Sequence, residues 1–113
     1  GKMRLPHNGK AVVDHNKLSG YCLNSHHPRG KHKARVFRQY LGITADEAAF
    51  LVAEIKRAIE EQPCRKGDQD EWGTRYTVDF LCRRGRRQAV VRTCWIVMHG
   101  EGVPRLTSCY VIP

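Results

Sequence analysis

Acidic residues are scarce in this chain. Its 113 residues carry 11 Asp and Glu against 20 Lys and Arg, a net charge of +9 with a pI near 9.7. A surface so short of carboxylates calls for an anionic partner, and nucleic acid is the commonest one for a small basic domain. Long hydrophobic runs are also missing. The longest, Ala48 to Ala53, is far too short to span a bilayer, and no helical segment joins a strong apolar face to a basic one, so a membrane is not expected as partner. No secretory leader is visible, and Gly1-Lys2-Met3 reads either as a remnant before a native start or as the cut edge of a longer protein. The five cysteines (Cys22, Cys64, Cys82, Cys94, Cys109) form no C-x-x-C pair, which argues against a zinc knuckle or a thioredoxin-type centre. They read as reduced thiols of a protein acting in cytoplasm. There is no P-loop, no dinucleotide fingerprint, no H-E-x-x-H and no G-x-S-x-G. Repeats, low-complexity tracts and internal linkers are absent too, so residues 1–113 are expected to form one domain.

What is present divides the chain in two. Asp14 is a plausible N-cap for a helix over His15 to Cys22. The spacing of Ala34, Phe37 and Leu41, stopped by Gly42, predicts a helix from about Lys31 to Leu41. Thr44-Ala-Asp-Glu47 is a capping-box signature, and Ala48, Leu51, Val52, Ile55, Ala58 and Ile59 then repeat with helical period up to Pro63. Cys64 to Asp70 reads as a polar loop. Beyond it the period changes to two. Tyr76, Val78, Phe80 and Cys82 mark one strand, Gln88 to Met98 a second and Arg105 to Ile112 a third, with Arg83-Arg84-Gly85-Arg86-Arg87 as a hairpin connection. The expected class is α+β: N-terminal helices packed on one face of a C-terminal antiparallel β-sheet.

The stretch from Ser25 to Tyr40 carries the densest chemistry. A His26-His27-Pro28 turn runs into a helix start, and Arg29, Lys31, Lys33, Arg35 and Arg38 crowd around it with no acid among them. Imidazole moves protons near neutral pH, and a helix N-terminus favours anions, so the pattern suggests phosphate handling. A solvated basic face beside ordinary turn histidines is the plainer alternative. His26, His27 and His32 match no standard metal spacing, so no metal and no cofactor are expected.

On the sheet, Arg92 interrupts an apolar strand and needs a partner, which is either a ligand anion or Asp79 on the neighbouring strand. Ser108 and Tyr110 share one face of the last strand and are placed to hold a phosphate oxygen, unless they make only ordinary cross-strand contacts. Trp72, Tyr76 and Trp95 are candidates for base stacking or for the core. Arg83, Arg84, Arg86 and Arg87 suit phosphate-backbone contact, a solvated hairpin tip or docking onto an acidic protein.

Leu23-Asn24-Ser25-His26-His27-Pro28-Arg29-Gly30, Lys33-Ala34-Arg35-Val36-Phe37, Leu41-Gly42, Trp72-Gly73 with Tyr76, Val91-Arg92-Thr93-Cys94-Trp95-Ile96 and Pro104 to Val111 together resemble a small uncharacterised bacterial domain family. At a greater distance the layout resembles the barnase–EndoU–colicin–RelE group of ribonuclease toxins, with Ser108-Cys109-Tyr110 where that group often has Thr-x-Tyr. The resemblance implies a metal-independent endoribonuclease, a bacterial toxin domain cleaving RNA or tRNA by 2′-hydroxyl transesterification and restrained by an acidic antitoxin or immunity protein. It implies action in the cytoplasm, with delivery as the C-terminal part of a larger secreted protein as one route. Under it, His27 shuttles a proton, Lys33 and Arg92 stabilise transition-state charge, and Ser108 and Tyr110 orient the phosphate. Arg29, Lys31, Arg35, Arg38, Arg83, Arg84, Arg86 and Arg87 would bind the nucleic acid. The alternatives are a non-catalytic nucleic-acid-binding module and a protein-interaction domain docking on an acidic partner.

Overall fold

The structure, a computed structural model, describes residues 3–113. Its elements are α1 (His15–Lys17), α2 (Lys31–Leu41), α3 (Ala48–Glu61), β1 (Cys64–Gln69), β2 (Gly73–Arg84), β3 (Arg87–Met98) and β4 (Pro104–Ile112). The class is the expected α+β, with the strands forming an antiparallel meander in the order β1-β2-β3-β4.

Local chemistry accounts for the two longer helices. Thr44 and Glu47 close the capping box, a 3₁₀ turn at Ala45–Glu47 leads into α3, and Ala48, Leu51, Ile55, Ala58 and Ile59 are its buried face. Gln62 is extended ahead of Pro63, as the proline ring requires of the residue before it. α2 buries Ala34, Phe37 and Leu41 and ends at Gly42, whose N–H still reaches the Arg38 carbonyl and whose φ of 65° turns the following Ile43 N–H back to the Phe37 carbonyl at 3.4 Å. Both helices pack on the sheet face formed by Val78, Phe80, Cys82, Val91, Trp95, Leu106, Cys109 and Val111. Thr93 lies in the same core, where its hydroxyl donates to the Val78 carbonyl and accepts from Trp95 Nε1, both at 2.8 Å.

Two elements differ from expectation. Cys64 to Gln69 is a strand, not a loop. Only Cys64 is buried, so no apolar alternation marks it. Pairing decides it instead, with Cys64, Arg65 and Lys66 opposite Val78, Thr77 and Tyr76. Its charged residues suit an exposed sheet edge that must not recruit another strand. The helix expected over His15 to Cys22 keeps the Asp14 cap, whose carboxylate accepts from the Asn16 amide, but α1 widens into a π turn over Leu18–Cys22. Such turns accompany functional sites more often than regular helix does.

The π turn leans on the other sheet edge. Val12 makes a parallel bridge to Arg105, and further along β4 the Cys109 amide donates to Cys22 Sγ at 3.4 Å. A bulge between β3 and β4 sets Cys94 opposite Ser108 but Trp95 opposite Leu106. Thr107 is the extra residue. Leu106 and Cys109, although three apart, therefore both turn into the core, while Ser108 and Tyr110 fall in register with Cys94 and Arg92.

The β2–β3 hairpin is anchored by its own arginines. Arg84 donates to the Gly42 carbonyl at 2.6 Å and pairs with Glu47, and Arg87 donates to the Gln39 carbonyl at 2.8 Å. Both guanidinium groups thus sit on carbonyls at the C-terminal end of α2, where the helix dipole favours a cation. Arg84→Ala is expected to lower stability by about 1–2 kcal/mol. Urea denaturation would read this as a lower midpoint with an unchanged slope. A change within 0.3 kcal/mol (roughly the error of such a comparison) would show the contact to be idle.

Candidate active site

The loop after the π turn is built around Asn24. Its side chain accepts from the His26 amide at 2.9 Å, and its carbonyl accepts from the His27 amide at 3.2 Å. The chain then reverses, and His27 Nδ1 accepts from the amides of Arg29 and Gly30, both at 3.0 Å. The imidazole therefore plays the part of a side-chain cap at the entrance to α2. With Nδ1 accepting from two amides, the neutral ring carries its proton on Nε2 and offers a donor to any ligand. The proton-shuttling role expected of His27 asks for a free lone pair, and the one at Nδ1 is occupied. Gly30 is required by close approach: any Cβ there would run into the Tyr21 carbonyl oxygen. The His27 ring also meets the Tyr21 ring edge-on, with centroids 4.9 Å apart and planes at 74°.

Tyr21 links this loop to Lys33. Lys33 Nζ donates to the Tyr21 hydroxyl at 2.7 Å, lies 4.6 Å from the Tyr21 ring centre and 5.9 Å from that of Tyr110. Partial burial works against the charge, but the Tyr21 hydrogen bond and the neighbouring Tyr21, Cys22 and Cys94 outweigh it and raise the pKa of Lys33. The ammonium is thus held charged at neutral pH, a role for a fixed cation rather than a base.

Tyr110 stands opposite Arg92 across the ladder, and Arg92 stands opposite Asp79. Arg92 Nε and Nη2 donate to Asp79 Oδ1 and Oδ2, each at 2.9 Å, and Arg65 approaches the same carboxylate at 3.6 Å. Asp79 first, then Tyr110, hold the guanidinium well above its usual pKa. Asp79, one of the two partners foreseen for Arg92, is in place. Its charge is thereby partly offset, which makes it better suited to orient Tyr110 than to meet a phosphate alone.

His27, Lys33, Arg92 and Tyr110, expected together, are thus joined through Tyr21 into one continuous patch. Ser108 does not belong to its surface. Its hydroxyl is buried beside the Cys22 thiol of the π turn, with no nitrogen or oxygen partner. The Cys109 thiol draws Cys22 down to about 7 against the opposing effect of burial, helped by the Cys109 amide, the Ser108 hydroxyl and Lys33, while Cys109 is pushed up in return. Both sulfurs are fully enclosed, so this polar seam fastens the π turn to β4. Tyr21 carried no signal beyond helical apolar spacing, because its partner lies twelve residues on.

The other basic residues occupy separate surfaces. Lys31, Arg35 and Arg38 line a groove of about 620 Å³ with His26 and His32, along a different flank of α2 from Lys33. Arg29, Arg83 and Arg86 are exposed, and Arg84 and Arg87 are committed to the α2 carbonyls. Trp95 is core, as expected of at least one tryptophan, while Trp72 is 61% exposed. No helix among the described residues is long and apolar enough to cross a membrane.

With this geometry stands one family match. The chain belongs to DUF6883, a domain of unknown function, whose family model covers residues 4–113. No curated protein and no solved structure matches it.

Proposed function

We propose that this domain is a metal-independent endoribonuclease, cleaving RNA or tRNA by attack of the 2′-hydroxyl on the adjacent phosphate. One observation carries the reading: Lys33, held charged between two tyrosines, lies next to a phenol flanked by a second cation, with a histidine Nε2–H donor on the same patch. Phosphodiester cleavage needs positive charge where the phosphorane gathers negative charge, and a group to protonate the departing oxygen. Lys33 supplies the charge. The His27 Nε2–H binds a non-bridging oxygen. Tyr110, positioned by Arg92, gives its proton to the 5′ oxygen as the P–O5′ bond breaks. The 2′ oxygen forms the new bond to phosphorus and its proton passes to water, leaving a 2′,3′-cyclic phosphate and a 5′-hydroxyl. The distant likeness to ribonuclease toxins supports the same reading. It also suggests a bacterial toxin working in cytoplasm and restrained by an acidic antitoxin or immunity protein that would cover this patch.

A single 2′-deoxy substitution 5′ to the cut tests the reaction type. Cleavage at that bond is expected to fall below detection while neighbouring cuts persist. Undiminished cleavage there would rule out attack by the 2′-hydroxyl.

A further inference from the structure

The groove beside α2 is distinct from the patch and is made differently. Its basic members are Lys31, Arg35 and Arg38 on α2, with the imidazoles of His26 and His32, and Asp46 is the acid among the lining residues. Leu23, Ala34 and Ile43 also line the groove but are almost wholly buried, so the stacking surface it offers is that of the imidazoles, the guanidinium groups and the half-buried Ala45. Arg35 and Arg38 are exposed and make none of the ion pairs found among the described residues. The groove holds about 620 Å³, within the range of sites that take small organic groups.

We propose that this groove binds unpaired RNA, taking nucleotides that flank the scissile bond. The assignment rests on the endoribonuclease reading for its place in the reaction, while binding itself can be measured apart from it. Phosphate alone would be served by the cations and would leave the exposed imidazoles of His26 and His32 unused. A duplex presents its backbone and hides its base faces, so it too would leave them without a stacking partner. A single strand offers both parts at once: splayed bases for stacking on imidazole and guanidinium planes, and phosphates for Lys31, Arg35 and Arg38. Connectivity supports the assignment. His26 lines the groove and its neighbour His27 belongs to the patch, so the His26–His27 turn joins the two surfaces.

The test uses a labelled ten-nucleotide strand with every ribose 2′-O-methylated, which cannot undergo transesterification. Binding is followed by fluorescence anisotropy at several salt concentrations, for the single strand and for its duplex. Wild-type protein is expected to hold the single strand at least ~10-fold more tightly than the duplex. Arg35→Glu/Arg38→Glu is expected to weaken single-strand binding ~10-fold or more and to reduce the salt slope by about 1.4, the value for two lost phosphate contacts on a single strand. Lys56→Glu/Arg57→Glu, an equal charge change on exposed positions of α3, serves as the control and is expected to cost far less. Equal losses in the two variants, or duplex binding as tight as single-strand binding, would overturn the proposal. So would equal binding of polyglutamate, which would mark a docking face for an acidic protein. A protein that binds the strand through the groove but cleaves no RNA would sink the nuclease reading and leave the groove standing as an RNA site.

Discussion

Lys33→Met is expected to slow RNA cleavage by about 10²–10³-fold, the effect of removing one preorganised group that stabilises transition-state charge. Methionine keeps most of the length and apolar stem of lysine, so packing around α2 should persist and the melting temperature should move by only a few degrees. The loss should fall on kcat, because the ammonium is asked to act where charge develops, not where the substrate is first held. Two features make Lys33 the strongest choice on the patch. It is held by Tyr21 at 2.7 Å rather than free to wander, and its charge has no carboxylate partner among the ion pairs of the described residues. Arg92 differs on the second count, since Asp79 takes two of its N–H groups. A loss under ~10-fold in Lys33→Met, with the fold intact, would move the chemistry away from this patch.

Gly30→Ala is expected to destabilise the protein by about 3 kcal/mol, the upper part of the range for forcing atoms into a packed site. Its backbone angles are open to any residue, so the cost is one of space: the new Cβ meets the Tyr21 carbonyl, a backbone atom that cannot swing aside. Relief requires the π turn and the start of α2 to part. That movement would also release the amide bonds to His27 Nδ1 and lengthen the Tyr21–Lys33 contact, so activity should fall along with stability. Chemical denaturation would measure the first and RNA cleavage the second. A stable, fully active Gly30→Ala protein would mean that the close approach of the two turns is not needed.

The sequence carried the elements that have their own periodicity. α3 was marked by its capping box and apolar stripe, and β2 and β3 by alternation about an arginine-rich turn. Features decided by partners distant in the chain were not visible. β1 exists because β2 offers a pairing edge, and its own residues are nearly all exposed and polar. The π turn adds a residue that helical spacing cannot announce, and its Cys22 sits beside the buried Ser108 hydroxyl. The hairpin arginines looked alike in sequence, yet Arg84 and Arg87 close onto the end of α2 while Arg83 and Arg86 stay exposed. In the patch itself, Arg92 and Tyr110 were nameable from residue type and spacing, and His27 and Lys33 were singled out from their basic stretch only through the family resemblance, whereas Tyr21, which joins the loop to Lys33, was not.

The most direct measurement is incubation of the purified protein with total tRNA and ribosomal RNA in EDTA, beside the Lys33→Met protein, with the new ends analysed chemically. Discrete fragments bearing 2′,3′-cyclic phosphates from the wild-type protein, and few or none from the variant, are what this account predicts. Intact RNA with both proteins, or identical fragments from both, would contradict it.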